Sequence, residues 1–386
     1  MQNPTNDEAG SVRRRWLVRG GITLVGALAI LFFWRNAGEA AGDVAAGVEE
    51  GGCGGSLQDE STRQTRSLKS TTDALPATSL GGFTDRGFVL NAANGSFPYG
   101  VGAPSVVYVP PLTTPYGSSA SGGRYTMFVD AQRDSGWGIY RSTSTDGITW
   151  TPPDPVFVDL GAALSGASVS QPSVVFVDDT WHMALKGISI AGTNGIYYAS
   201  SRDGIRWTVK TTPIATDRGG SDLGNPSTPI GDPAIEYRNH VGRVAFTLGT
   251  KIYLATSTDA FATFTVAATP IASPSGTSTG VGGSVLACDT AASDQYYHFF
   301  YTLGANPTYT KTFSLQTSWD GVTWTHELPL SIDGLPSDVS HWDVLPVQNG
   351  FIVYYSATNS ETGSKAIGMA STVPKWSHPT CIRKAK

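Results

Sequence analysis

The segment YASSRDGIRW, residues 198–207, is one copy of a motif that recurs along the chain and indicates its fold. The other copies are YRSTSTDGITW at 140–150, STDAFATF at 257–264, SWDGVTW at 318–324, and IGMASTVPKW at 367–376, which lacks the Asp-Gly pair. The aromatic residues that end the copies (Trp150, Trp207, Phe264, Trp324 and Trp376) lie 57, 57, 60 and 52 residues apart. A nearly constant period of this size is typical of a propeller or a repeat array.

Each copy is interpreted as a hairpin between two strands. One strand ends, Asp-Gly supplies the positive φ angles of a tight turn, and the next strand opens with an aromatic that packs between repeats. The Ser and Asp side chains can cap backbone amides of the turn. The motif is therefore predicted to be structural, and its Asp residues are not taken as catalytic.

Two further strands precede the hairpin in each repeat. They cover 104–109 and 125–129, 172–177 and 181–185, 233–237 and 243–247, 284–287 and 296–301, and 343–347 and 351–355. The pattern predicts an all-β fold over residues 81–386, a five-bladed β-propeller with four antiparallel strands per blade. Little sequence follows Trp376, so a strand near Phe83–Leu90 is expected to complete the last blade and close the ring.

Residues 1–41 have the composition of a targeting segment. Three arginines at 13–15 precede an apolar run at 20–34, which is shorter than the roughly 20 residues of a membrane-spanning helix and typical of a signal peptide. A cleaved signal peptide and a retained signal-anchor helix both stay open. Both predict an exported protein, secreted, periplasmic or held at the membrane by this segment. Residues 42–80, rich in Gly, Ser and Thr, are predicted to be a disordered linker.

Composition excludes some functions. Charged residues make up 15% of the chain, the net charge is -5 and the body has no basic stripe, which argues against a nucleic-acid partner. Cys288 and Cys381 could pair in an oxidising compartment, and Cys53 lies in the linker. No Cys/His cluster has the spacing of a zinc site. We expect a monomer.

Propeller geometry places a ligand site at the face where the inner strands begin, and the hairpins on the opposite face. The residues at those starts are Ala103, Gln171, Asp232, Gly282, Gly283, His341, Trp342 and Asp343. Loops on the same face add Asp130, Arg133 and Trp137 as contacts at the rim.

The Ser-x-Asp-Gly-x-x-Trp hairpin, the five repeats and the Pro-Ser-Val inner strands at Pro104 and Pro172 resemble the five-bladed glycoside hydrolases. These are families 43 and 32 and their relatives, which act on arabinans, xylans and fructans. The resemblance runs from about Phe83 to the end of the chain. It implies a poly- or oligosaccharide substrate and two opposed carboxyl groups. No cofactor is implied to be required, and a structural calcium ion in the central channel stays open.

The family 43 pattern is incomplete in this chain. It places an Asp before the Pro of each of the first two blades and a Glu at the start of the third. Ala103 and Gln171 stand at the first two positions, and the third blade opens on Gly231-Asp232-Pro233 with no Glu at the expected place.

Asp232 and Asp343 are the acids expected to point into the channel, and we predict that they form the catalytic pair. His341 and Trp342 are expected to bind or stack on a sugar, and Gln171, Asp130, Arg133 and Trp137 complete the predicted substrate-binding set. Glu236, deeper in the channel, is expected to be buried or to bind an ion.

Two alternatives remain. The missing carboxylates favour a non-catalytic carbohydrate- or surface-binding propeller. A sialidase-like hydrolase would need clustered arginines, which Arg133 and Arg218 alone do not supply.

Overall fold

The protein is described here by a computed structural model of the body of the chain. The described residues are 82–91, 97–109, 123–133, 136–161, 168–189, 192–217, 229–272, 281–287, 296–303, 311–318, 323–325, 328–330, 332–347 and 350–372. This part contains 23 β-strands and no helix, and so no helix that could cross a membrane. The predicted targeting segment and linker, the three cysteines and Trp376 lie outside it.

The strands are short, and most have four to ten residues. In chain order they are β1 Phe83–Leu90, β2 Val101–Val109, β3 Arg124–Arg133, β4 Gly136–Ser144, β5 Asp154–Pro155, β6 Phe157–Asp159, β7 Val169–Val177, β8 Thr180–Ile188, β9 Asn194–Ser201, β10 Arg206–Val209, β11 Ala215–Thr216, β12 Ile230–Arg238, β13 Val241–Leu248, β14 Lys251–Ser257, β15 Thr265–Val266, β16 Val281–Ala287, β17 Tyr296–Leu303, β18 Lys311–Ser318, β19 Leu328–Leu330, β20 Ile332–Asp333, β21 Ser340–Val347, β22 Gly350–Thr358 and β23 Lys365–Ser371.

These strands form separate sheets with a common plan, which makes the fold an all-β propeller. The sheet orders are β2-β3-β4-β5, β7-β8-β9-β10-β6 with β11 beside β9, β12-β13-β14-β15, β16-β17-β18-β19, and β21-β22-β23-β1-β20. In each sheet the four main strands pair antiparallel, whereas the short β6 and β20 add in parallel. The first strands β2, β7, β12, β16 and β21 lie next to one another in that order, and β21 lies again beside β2.

The strand predicted at Phe83–Leu90 is confirmed. It is β1, and it pairs antiparallel with β23, with Thr84 opposite Ser371. Phe83 is buried in the core of this sheet, and the Asp85 carboxylate accepts a hydrogen bond of 2.5 Å from the Tyr355 hydroxyl. The first strand of the body therefore completes the sheet built by the end of the chain.

The predicted capping role of the hairpins is also confirmed. Ser144 Oγ accepts from the Gly147 amide at 2.8 Å, and Asp146 Oδ1 accepts from the amides of Ile148 and Thr149 at 2.8 and 2.7 Å. Desolvation raises the pKa of Asp146, but these hydrogen bonds outweigh that effect and lower the pKa to about 2. Of the Asp-Gly pair, the glycine alone has a positive φ, 73° at Gly147.

In the first two copies the aromatic that follows the hairpin packs on the preceding sheet, as predicted. Trp207 is buried against Phe128 of the first sheet, with ring centroids 5.5 Å apart. Trp150 meets Tyr354 of the last sheet edge-on at 5.9 Å, and that tyrosine's hydroxyl donates to the Gly147 carbonyl at 2.9 Å. The core therefore lies between sheets, and the hairpins join neighbouring sheets by burial of aromatic surface.

Candidate functional site

Four inner strands share one distortion where they begin. Ala103, Gln171, Asp232 and His341 have φ angles of 40°, 52°, 48° and 41°. In each case the pairing register with the next strand shifts at that residue. A positive φ is unfavourable for residues with a Cβ, and strain of this kind clusters at ligand sites. By this shared geometry, His341 is the counterpart of Asp232 in the last sheet.

Three of these four side chains meet. Gln171 Oε1 accepts a hydrogen bond of 3.0 Å from the Asp232 amide. The other end of the same side chain, Nε2, lies 2.7 Å from His341 Nε2. Asp232 Oδ1 lies 3.0 Å from that same ring nitrogen. Residues from the second, third and last sheets, all of them predicted site residues, thus form one polar cluster.

Two members of the cluster are partly exposed to solvent. The side chains of His341 and Asp232 are 31% and 19% exposed. The second oxygen of Asp232, Oδ2, lies 3.2 Å from Thr247 Oγ1, which also lies 2.9 Å from the Gly231 carbonyl. Because a hydroxyl has one proton, Thr247 cannot donate to both at once, and Asp232 keeps capacity to accept a further hydrogen bond.

Asp130 is buried next to the cluster and supports it, and its predicted contact with a ligand stays a prediction. It is buried on β3, and its Oδ2 accepts a hydrogen bond of 2.9 Å from the Gln171 amide. Burial raises the pKa of Asp130, and this is opposed by His341 and by the Gln171 hydrogen bond. A Cβ at Gly102 would come within 2.9 Å of Asp130 Oδ1, so the glycine makes room for this carboxyl group.

Asp343 makes a hydrogen bond between sheets that the sequence did not predict. Its Oδ2 accepts a hydrogen bond of 2.6 Å from the Val106 amide of the first sheet. Ser105 Oγ does the same for the Val174 amide at 2.9 Å, and Ser173 Oγ for the Ile235 amide at 3.0 Å.

All three acceptors stand two residues beyond a positive-φ position. They accept hydrogen bonds from backbone amides of the neighbouring inner strand and so join one sheet to the next. The catalytic role of Asp343 stays a prediction beside this one.

The two tryptophans predicted to touch a sugar differ in exposure. Trp342 is 7% exposed and packs in the core against Phe313, with ring centroids 4.8 Å apart. This burial gives Trp342 a packing role, and its contact with a sugar stays a prediction. Trp137 is 41% exposed at the start of β4, and its rim role stays a prediction. The side chain of Arg133 lies outside the described residues.

The acid expected deeper in the channel has a charged partner. Glu236 is buried, as predicted, but its Oε1 pairs with Arg243 at 2.9 Å. In the part of the chain that the structure describes, no group of three or more His, Cys, Asp or Glu side chains could hold a metal ion. The carboxylate and imidazole chemistry of this face therefore centres on Asp232 and His341.

No protein-family model matches the chain, and no curated protein matches it in sequence. Solved structures do match it in fold. A glycosyl hydrolase from Bacteroides ovatus superposes with a TM-score of 0.57 at 14% identity, over 80% of this chain and 98% of that one.

Two family 62 proteins align over a similar extent. The catalytic domain of the α-L-arabinofuranosidase from Coprinopsis cinerea gives a TM-score of 0.53 at 13% identity, over 77% and 98% of the two chains. A family 62 hydrolase in complex with xylotriose gives 0.52 at 12% identity, over 78% and 100%. The chain therefore has the fold of propeller-type glycoside hydrolases, and the resemblance predicted from its sequence is confirmed at the level of fold.

Proposed function

We propose that the protein is an exported, five-bladed, glycoside-hydrolase-like propeller that acts on a poly- or oligosaccharide at the channel mouth. One observation carries this proposal: Gln171, Asp232 and His341 converge from three sheets at strained strand starts. Such convergence of polar and titratable groups is characteristic of ligand sites. The fold neighbour in complex with xylotriose supports a carbohydrate as the ligand.

The blade count of five is supported by the way in which the sheets follow one another. Five sheets are present in the described part. The hydrogen bond from the Val106 amide to Asp343 joins the last sheet to the first, and β1 completes the last sheet. Each sheet then counts as one blade of a closed ring.

The proposed reaction uses the Asp232 and Asp343 carboxyl groups on opposite sides of a glycosidic bond. Asp232 is 19% exposed and its Oδ2 keeps hydrogen-bonding capacity, so it can take a proton from water and pass it to the leaving oxygen. Asp343, whose Oδ2 accepts a hydrogen bond from the Val106 amide, is then assigned to attack the sugar or to activate water.

The test compares the full-length wild type with Asp232→Asn, Asp343→Asn and Asp343→Ser on nitrophenyl furanosides and pyranosides, arabinan, xylan and fructan. Serine is a matched control, because Ser105 and Ser173 make the same inter-sheet hydrogen bond at equivalent positions. We expect every variant to fold and to lose activity by at least about 100-fold. Full activity in Asp232→Asn would overturn the site. Full activity in Asp343→Ser would leave Asp343 with its structural task alone.

A non-catalytic carbohydrate-binding propeller is the second candidate function. The observation that favours it is that Asp232 is the one carboxylate among the four described positive-φ strand starts. Isothermal titration with the same polysaccharides separates the two functions. Binding that depends on Asp232 and His341 without release of reducing sugar would support the second candidate.

The proposal of export rests on residues 1–41 of the sequence. Cell fractionation of the producing organism, with N-terminal sequencing of the mature chain, tests it. If the protein is exported, the propeller is found outside the cytoplasm. The mature chain then either begins after the apolar run or retains that run as an anchor. A cytoplasmic chain that keeps residue 1 would refute it.

A further inference from the structure

One ring nitrogen in the cluster has two competing partners. Gln171 Oε1 accepts from the Asp232 amide, and this fixes the orientation of the side-chain amide. Its NH₂ group therefore faces His341 Nε2 at 2.7 Å and requires a lone pair there. Asp232 Oδ1, at 3.0 Å from the same nitrogen, is an acceptor and requires a proton there. His341 Nε2 cannot satisfy both partners at once.

The protonation state of His341 decides which partner is satisfied. A neutral ring with its proton on Nδ1 accepts from Gln171, and the Asp232 carboxylate then has no positive partner on this ring. A protonated ring donates from Nε2 to Asp232 and turns an N–H toward the Gln171 NH₂ group. The step between the two states is the exchange of one proton with water.

The charges around His341 favour the protonated ring. Asp232 lies against it and Asp130 lies near enough to interact with it from β3. Lys186, on β8, interacts with Asp130 and partly offsets that negative charge. Gln171 is the described group that hydrogen-bonds the neutral ring, and it has no charge of its own.

We propose that Gln171 is a positioning residue that holds His341 in its neutral Nδ1–H form and so leaves the Asp232 carboxylate open to a ligand hydroxyl or proton at mildly acidic pH. This rests on the proposed function for the ligand, whereas the behaviour of the ring can be measured without one. Below the titration midpoint of His341, the imidazolium pairs with Asp232 and competes with the ligand. Above the midpoint, Asp232 is open.

The chain offers two matched variants. Ala103 occupies the same place in the first sheet with a φ of 40°, so Gln171→Ala fits the backbone and removes both hydrogen bonds. Gln171→Glu keeps an acceptor for the Asp232 amide but replaces the NH₂ donor with a second acceptor. Asp232→Asn removes the charge that competes for the ring.

The experiment is a pH titration of the full-length chain labelled with ¹⁵N-histidine, followed by long-range ¹H–¹⁵N correlation, which reports the tautomer. The chain has 6 histidines, and His341→Gln assigns the signal. In the wild type we expect a neutral ring with its proton on Nδ1. Gln171→Ala should raise the midpoint by about 0.5 to 1 pH unit, the worth of one hydrogen bond to the neutral ring. Gln171→Glu should raise it further and move the neutral-state proton to Nε2, and Asp232→Asn should lower it.

A midpoint unchanged in Gln171→Ala, or a wild-type ring with its proton on Nε2, would overturn the proposal. With the polysaccharide that binds, the acid limb of binding should move upward by the same amount in Gln171→Ala. A shifted midpoint with an unshifted acid limb would refute the link to the ligand. If none of the polysaccharides binds, the proposed function fails while the titration still decides the role of Gln171.

Discussion

Replacement of Asp343 by alanine is expected to weaken the junction between the last and first sheets. The Val106 amide donates to Asp343 at 2.6 Å, and Val106 is buried. The alanine variant leaves that amide without its acceptor. A hydrogen bond to a charged group is worth about 1.5–3 kcal/mol, and a buried donor left unsatisfied costs about 1–3 kcal/mol. We therefore expect the free energy of unfolding to fall by about 2–3 kcal/mol.

The serine variant separates this effect from the loss of charge. Ser105 and Ser173 make the same contact at 2.9 and 3.0 Å, so Asp343→Ser should restore a neutral hydrogen bond. We expect it to recover about 0.5–1.5 kcal/mol of the loss. Ser173→Ala, at the junction of the second and third sheets, provides the neutral reference.

Urea unfolding followed by tryptophan fluorescence measures these differences, provided that the slope of the transition is the same in all variants. Equal stability of Asp343→Ala and the wild type would refute the reasoning, because the amide would then have been satisfied without the carboxylate. Equal loss in the alanine and serine variants would show that the serine positions are not equivalent to Asp343.

Two further predictions concern other parts of the fold. Ser201→Ala removes the hydroxyl that accepts a hydrogen bond of 2.9 Å from the Gly204 amide. The free energy of unfolding should fall by about 0.5–2 kcal/mol, as on loss of a cap. Urea unfolding measures this difference, and an unchanged free energy would refute the capping role. Burial lowers the pKa of His182 to about 4, below its ordinary value near 6.5, so the unfolded chain binds the extra proton first. The stability that neutral His182 contributes is therefore present above about pH 6.5 and is lost as the pH falls toward 4. Across this range the urea midpoint should fall in the wild type and fall less in His182→Gln. Parallel curves for the two proteins would refute the prediction.

Most of the fold could be predicted because local sequence patterns indicate it. The hairpin repeats at a constant period, and each copy contains its own turn, its caps and its packing aromatic. The strand Phe83–Leu90 could be predicted from a count, since the last repeat lacked one strand. The prediction of a positive φ at Asp146 was wrong, because Gly147 alone has the positive φ of this turn.

The site could be predicted only in part, because the strand-start distortion leaves no signal in the sequence. Nothing in the residue types of Gln171 or His341 predicts a positive φ. The bulge adds a residue and so changes which side chains face the channel beyond it. His341, Trp342 and Asp343 could be predicted only together, as the start of the last inner strand, because the position of the bulge could not be seen. The burial of Asp130 depends on β3 approaching the neighbouring sheet, which no local pattern reveals.

The pairing of β1 with β23 also determines when the protein can finish folding. Thr84 lies opposite Ser371, 287 positions later in the chain (371 − 84). At the roughly 5–20 residues per second of synthesis, about 15–60 seconds separate the appearance of the two partners. Throughout that time β1 is a strand without its neighbour, and an unpaired strand is a template for aggregation. The nascent propeller therefore depends on β23, which is synthesised late, to cover β1, which is synthesised early.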